Sequence, residues 1–328
     1  MAILKIVSSI SVWCLLFQAG HAQATVNRHS MSQYLEDIGI ERNSVETCSF
    51  VQENSCQSKG AGGHAASIFS TSDGFCAKKI RSRHNVKEIE FYIQSQAVCS
   101  SDLKMVPEIC RFIPQFGGVC QKDGQLYVKM ENLKKNQVSG LIMEDPWALD
   151  MKIGTKTASI RSMKRSGETA LGMTFWTLVH WSQDRYLTSS HERGYRFAGF
   201  SAGRPDQFKA MGFFEKLLVM QNPERVIRVF SPTKQENNPM ACFVRKIGEL
   251  GMALNEESFS RFHLVGASAL LIYDHHHPER ASTDCSVYLI DFANSYILDQ
   301  SPGDSDTVLT GLRKGVFHLA NDFVHSTR

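Results

Sequence analysis

Residues 146–154 read PWALDMKIG, an apolar run that carries one acid and one base two positions apart. Successive side chains of a β-strand point to opposite faces, so Leu149, Met151 and Ile153 fall on one face and Asp150 and Lys152 on the other. The first face is expected to enter the core, and the second to meet something polar. A surface ion pair with this spacing is common and worth under ~1 kcal/mol. Spacing alone therefore does not separate a solvated strand from the wall of a site, and the flanking segments have to decide.

On the N-terminal side, HAASIFSTSDGFCAKKI (64–80) reads as two strands joined at Ser72, Asp73 and Gly74, because Asp-Gly between apolar runs favours a tight hairpin. Lys78 then lies on the second strand. Val86, Ile89, Tyr92 and Ile93 recur at helical spacing, which puts Glu88 and Glu90 on a helix. A strand over Gly124–Met130 runs into ENLKKNQVSG (131–140), the best lobe boundary in the chain. Beyond PWALDMKIG the pattern predicts a basic helical stretch over about 155–190 and helical regions near 204–222 and 239–251. Two apolar strands, 267–274 and 286–295, flank the polar turn HHHPERASTD.

The 328 residues are 42% hydrophobic and 21% charged, enough for one large domain or two lobes around a cleft. A net charge of +3 is too mild for a nucleic-acid protein, so an anionic ligand must be met by a local cluster. The first residues, MAILKIVSSISVWCLLFQAGHAQA, combine Lys5, an apolar run from Ile6 to Phe17 and small Ala22 and Ala24, the pattern of a cleaved signal peptide over 1–24. That run is shorter than the ~20 residues that span a bilayer. Besides Cys14 there are Cys48, Cys56, Cys76, Cys99, Cys110, Cys120, Cys242 and Cys285. Their even number and the lack of any C-x-x-C pair favour disulfides over a thiolate metal site. Both features point to the lumen of the secretory pathway (ER or Golgi) or to export.

Strand, turn, strand with a lysine, helix with a glutamate, connector and second lobe is the order that a kinase-type phosphotransferase requires. Lys78 would meet the α- and β-phosphates of ATP, Glu88 would fix that lysine, and Asp291 would hold Mg²⁺. Taken singly, each reads more readily as a surface charge, because charged side chains are mostly solvated. Asp291 follows Val287–Ile290 at the end of an apolar strand, where a carboxylate is costly unless a cation or the backbone N–H groups of 293–295 receive it. In TKTASIRSMKRSG, Arg161, Lys164 and Arg165 share one face if the stretch is helical, with Lys156 before them. Such a cluster suits a small polyanion or is a solvated basic face. His275, His276 and His277 beside Asp274 read as exposed loop rather than a metal site, since no second ligand cluster is visible.

Pro146, Asp150, Lys152 and Gly154 form P-x-x-x-D-x-K-x-G, which is similar to the signature of the inositol polyphosphate kinase family. GGHAASI near His64, DGFCAKKI around Lys78, KEIEFY around Glu88, YVKMEN, GYRFAGF at 194–200, ASALLIYD and VYLIDFA resemble further family blocks in family order. The resemblance implies an α+β, two-lobed kinase-like fold, related to protein kinases and ATP-grasp enzymes, with an N-lobe over 25–130, a C-lobe over 131–328 and nucleotide in the cleft. It further implies that main-chain groups near Glu131 and Leu133 hold adenine and that Asp150 binds the ribose hydroxyls. Lys152 would reach the transferring phosphoryl group or the inositol substrate, Asp291 would carry Mg²⁺, and Ser268 would support that centre. Substrate phosphates would fall to Lys156, Arg161, Lys164 and Arg165, with Arg81 and Arg83 reaching over from the N-lobe. Asn294 stands where the family often has a base, and 304–315 follows its closing block only loosely. The 39 residues between Gly154 and Gly194, and I-D-F-A at 290–293, look most like a multikinase acting on inositol tris- and tetrakisphosphates. A pyrophosphate-forming hexakisphosphate kinase is the next reading, and a non-catalytic inositol phosphate binder is separable only by assay. A secretory-pathway protein kinase lacks support, because H-R-D and D-F-G are both missing. The expected partners are ATP and inositol phosphates, and a monomer is expected.

Overall fold

The structure is a computed structural model that describes residues 31–41, 45–51, 56, 68–100, 106–136, 139–156, 178–202, 218–230, 238–277, 280–298 and 305–326. The expected signal peptide and Arg161, Lys164 and Arg165 lie outside the described residues, as does most of the stretch read as basic helix.

Helix α1 (Met31–Asp37) and strand β1 (Glu46–Thr47) precede β2 (Ile68–Ser70) and β3 (Cys76–Lys79). These last two form the expected hairpin, with Ser70 opposite Cys76 and Gly74 turning at φ 84°. Helix α2 (Arg83–Cys99) follows, and Asn85 Oδ1 accepts the N–H groups of Arg81 and Ser82 at its start. Next come β4 (Phe116–Lys122) and β5 (Gln125–Met130), a second hairpin turned at Asp123 and Gly124 with φ of 50° and 72°. The sequence reading found β5 but not β4. The Gly117-Gly118 pair looks like a loop, and in fact forms a bulge opposite β5 that lets Gly117 pass directly under the Phe75 ring. Together these strands make a five-stranded sheet in the order β1-β4-β5-β3-β2.

Residues 131–145 cross to β6 (Pro146–Ile153). After it come α3 (Ser190–Arg193), β7 (Tyr195–Ala202), α4 (Pro223–Phe230), α5 (Met240–Ala253) and β8 (Phe262–His263). The chain continues through β9 (Ser268–Asp274), β10 (Cys285–Ile290), β11 (Tyr296–Ile297) and α6 (Ser305–Ser326). The second sheet has the order β10-β9-β6-β7, so PWALDMKI is an interior strand. Leu149, Met151 and Ile153 are each 0% exposed and join the core under α5 and α6, as the period of two predicts. Strand β7 was not read as a strand from the sequence. The strand expected over 286–295 stops at Ile290: Asp291 takes φ 67°, Phe292–Asn294 form a 3₁₀ turn, and β11 starts afresh.

Two contacts fix the geometry around the cleft. Phe91 of α2 stacks on Phe292 with ring centroids 4.2 Å apart, and Tyr92 meets the same ring edge-on at 5.4 Å, so the helix bearing Glu88 is docked against the residue after Asp291. At the far end of β6, Gly154 (φ 97°) donates its N–H to Gly194 O at 2.6 Å, and α6 passes so close that a Cβ on Gly315 would overlap that carbonyl. The last residue of PWALDMKIG is a glycine because its φ of 97° is one that side chains rarely adopt, whereas Gly194 and Gly315 are glycines because β7's start and the helix meet backbone to backbone. Disulfides Cys48–Cys120, Cys56–Cys76 and Cys99–Cys110 staple the first half, and Cys242–Cys285 ties α5 to β10.

Candidate active site

Between the two sheets lies a cavity of about 450 Å³, in the size range of small-ligand sites. Its walls come from β3, α2, the connector, β6, β9 and β10. One end is apolar: Leu133 packs with Met143, Ala148, Leu270, Ile272, Tyr288 and Ile290. The other end holds Lys78, Glu88, Asp150 and Asp291.

Strand β6 supplies this gradient through its pleat. Ala148, Asp150 and Lys152 share the cleft face at intervals of about 7 Å, so an apolar position, an acid and a base follow one another away from the connector. Asp150 is buried, and its Oδ1 has no hydrogen-bonding partner among the described residues. Desolvation raises its pKa; Lys152 lowers it and the Asp291 charge raises it again, leaving the carboxyl at about 6. The hydroxyl of Ser268, which faces Lys152 from β9, is buried close to Asp150 and helps to hold that pKa down, although neither Ser268 Oγ nor Asp150 Oδ1 has a partner at hydrogen-bond distance among the described residues. A buried acceptor left open in this way calls for a donor from a ligand.

Lys152 Nζ donates to Gly266 O at 2.8 Å and to Asp291 Oδ2 at 2.5 Å. This corrects the expectation for Asp291. Its side chain is 46% exposed and ion-paired, so it is neither a desolvated orphan nor a cap of the following turn. The left-handed backbone at Asp291 turns it out of β10 toward the cleft.

From the first sheet, Lys78 Nζ meets Glu88 Oε2 at 2.9 Å. Burial would lower the lysine pKa, but the carboxylate of Glu88, helped by Asp291, raises it, so the ammonium is kept. Glu131 puts its side chain to structural use, accepting from Gln115 N at 3.1 Å and from Tyr288 Oη at 3.3 Å. Both Glu131 and Leu133 line the cavity.

Of the other expected substrate residues, those whose side chains are described, Lys156 and Arg81, are not brought here. Lys156 is exposed, and its Nζ donates to Thr307 Oγ1 at 3.2 Å. Arg81 is exposed, and Arg83 lies in the first turn of α2 with its side chain outside the description. Sequence reasoning passed over Tyr92, which lines the cavity and whose hydroxyl pKa burial drives well up. It also passed over Arg196, opposite Lys152 on β7 and buried in an ion pair with Asp184 at 2.8 Å. Burial lowers the Arg196 pKa despite Asp184. The alternation of Tyr195 and Phe197 into the core about Arg196 was the available signal. A bulge in β7 opposite Asp150 and Met151 was not legible.

Comparison with known proteins gives the same picture from outside. The family described as inositol polyphosphate kinase matches residues 127–319. Among curated proteins the sequence finds no match. Among solved structures, the chain is similar to the S. cerevisiae inositol phosphate multikinase Ipk2 crystallised with ADP and Mn²⁺, at 19% identity and a TM-score of 0.50, covering 76% of this chain and 98% of that one. That likeness establishes a kinase-like fold.

Proposed function

The chain belongs to the inositol polyphosphate kinase family, and from that premise we propose that it transfers the γ-phosphoryl group of ATP to inositol tris- and tetrakisphosphates, as a multikinase does. The observation that carries this reading is the order along the cleft face of β6, apolar Ala148, then Asp150, then Lys152, which parallels base, ribose and phosphate in a nucleotide whose adenine enters at Glu131 and Leu133. Ribose hydroxyls are donors, and they meet the open oxygen of Asp150. Lys78, held by Glu88, neutralises the α- and β-phosphates. Lys152 leaves its hold on Asp291 to meet the transferring group.

The carboxylate oxygens of Asp291 are the hard donors that Mg²⁺ takes, and they would hold it at the phosphate end. When bound, the ion would neutralise phosphate charge. The protein's own share is positioning and a fixed field, which carry most of phosphoryl transfer. The polyanionic acceptor falls to the basic segment after Gly154, including Arg161, Lys164 and Arg165. The leader-like first 24 residues and the four disulfides support a working place in the secretory lumen or outside the cell.

The mature chain, incubated with Mg-ATP and a panel of inositol phosphates, is expected to phosphorylate tris- and tetrakisphosphates and to yield ADP in equal amount. Transfer confined to the hexakisphosphate would make it a pyrophosphate-forming enzyme. Saturable binding of the trisphosphate with no transfer to any acceptor would make it a binder.

A further inference from the structure

We propose that Glu144, His276 and His277 form a Zn²⁺ site that clamps the connector between the two sheets to the β9–β10 turn. The sequence reading dismissed the histidine turn for want of another ligand. The fold supplies one, because the connector returns past that turn just before entering β6. Asp274 Oδ2 accepts the N–H of Glu144 at 3.0 Å, Asp274 Oδ1 accepts that of Asp145 at 3.0 Å, and His275 N donates to Asp145 O at 2.9 Å. The Asp274 carboxylate and one backbone bond therefore hold both segments in place before any ion is considered.

On this frame one ligand atom from each of the three side chains lies within 4.8 Å of the others. His276 Nε2 stands 3.3 Å from Glu144 Oε2, and His277 Nε2 stands 3.7 Å from Glu144 Oε1. Those gaps are long for charge-assisted hydrogen bonds, which run at about 2.7–2.9 Å. The His276 gap equals the edge of a tetrahedron built on metal–ligand bonds of about 2.0–2.1 Å, about 3.3–3.4 Å, and the His277 gap, to the other carboxylate oxygen, exceeds it by a few tenths of an ångström that a side-chain rotation closes. Two imidazoles and a carboxylate are a familiar zinc donor set, with the fourth position left to water.

A cavity of about 210 Å³ opens beside Glu144 and His277. Asp274, Arg280 and Asp284 also line it, and one carboxylate oxygen of Asp284 is shielded from solvent without a hydrogen-bonding partner among the described residues. Glu144, Asp274 and Asp284 outnumber the single Arg280 guanidinium on this wall, so it does not repel a cation.

The test uses the tag-free, disulfide-intact mature chain in excess Mg²⁺ without nucleotide or inositol phosphate, so it fails or succeeds independently of the kinase reading. Titration calorimetry with zinc chloride is expected to show one saturable site per chain. His277→Ala, His276→Ala and Glu144→Gln should each weaken it by about tenfold or more, while His325→Ala on the exposed end of α6 leaves it unchanged. The side chains of His276 and Glu144 are 60% and 63% exposed, so these substitutions do not threaten folding. Zinc should also raise the melting temperature of the wild type and not of the Glu144→Gln variant. Lack of saturable binding, or equal affinity in wild type and the three site variants, would overturn the proposal.

Discussion

At the scale of single residues, Asp150 and Lys152 are neighbours on one strand face to which the proposed function gives different work, and substitution should separate them. Lys152→Ala removes the cation at the phosphate end and is expected to lower kcat by about 10²-fold or more. Asp150→Asn loses charge-assisted bonds to the ribose and is expected chiefly to raise the KM for ATP, roughly 10- to 100-fold. Initial-rate kinetics with ATP varied would show the split, and equal small effects would leave neither residue a part in ATP use. Asp150 also has a signature in stability. Its carboxyl sits at about 6 in the fold against 3.8 for an unperturbed aspartate, so between those values the folded state holds the extra proton and stability falls as pH rises. Asp150→Asn should therefore gain stability relative to wild type on going from pH 4 to pH 7, by ~2–3 kcal/mol in denaturant unfolding without nucleotide.

At the scale of elements, the site depends on two dockings. Phe292 is 0% exposed between Phe91 and Tyr92, and Phe292→Ala should cost about 3–5 kcal/mol. It should also lower kcat, because it frees α2, and with it Glu88, from the Asp291 turn. Phe323→Ala, in the same core but packed on Phe243, should cost similar stability and spare kcat. Gly315→Ala drives a methyl into the Gly194 carbonyl and should cost ~1–3 kcal/mol or more. Much of this layer was legible in the sequence. Asp-Gly turns, the helical spacing from Val86 to Ile93 and the alternation in PWALDMKI report local backbone preferences, which the fold keeps. What the sequence hid was long-range. Strand β4 carries two glycines that only its bulge explains, the left-handed turn at Asp291 interrupts an apolar run with no Gly or Pro to mark it, and Glu144 meets the histidine turn only because the connector folds back.

At the scale of the whole molecule, the five- and four-stranded sheets have core clusters of their own, joined through Phe91 and Tyr92 of α2 and the half-buried Phe116 and Met130, and the cleft between them has one apolar end and one charged end. Among the described residues no helix is long and apolar enough to cross a membrane. The disulfides are part of the same frame. Cys242–Cys285 closes a separation of 43 residues between α5 and β10, and replacing both cysteines by serine should cost ~2–4 kcal/mol in chemical unfolding. On the proposed function, the cleft orients ATP along β6 for transfer to an inositol phosphate. The most direct test is transfer of γ-labelled phosphate from Mg-ATP to inositol trisphosphate by the mature chain, run beside Lys152→Ala. Labelled product from wild type, with bound but untransformed substrate in the variant, is the predicted result. Equal transfer by both proteins, or none by wild type to any inositol phosphate, would contradict it.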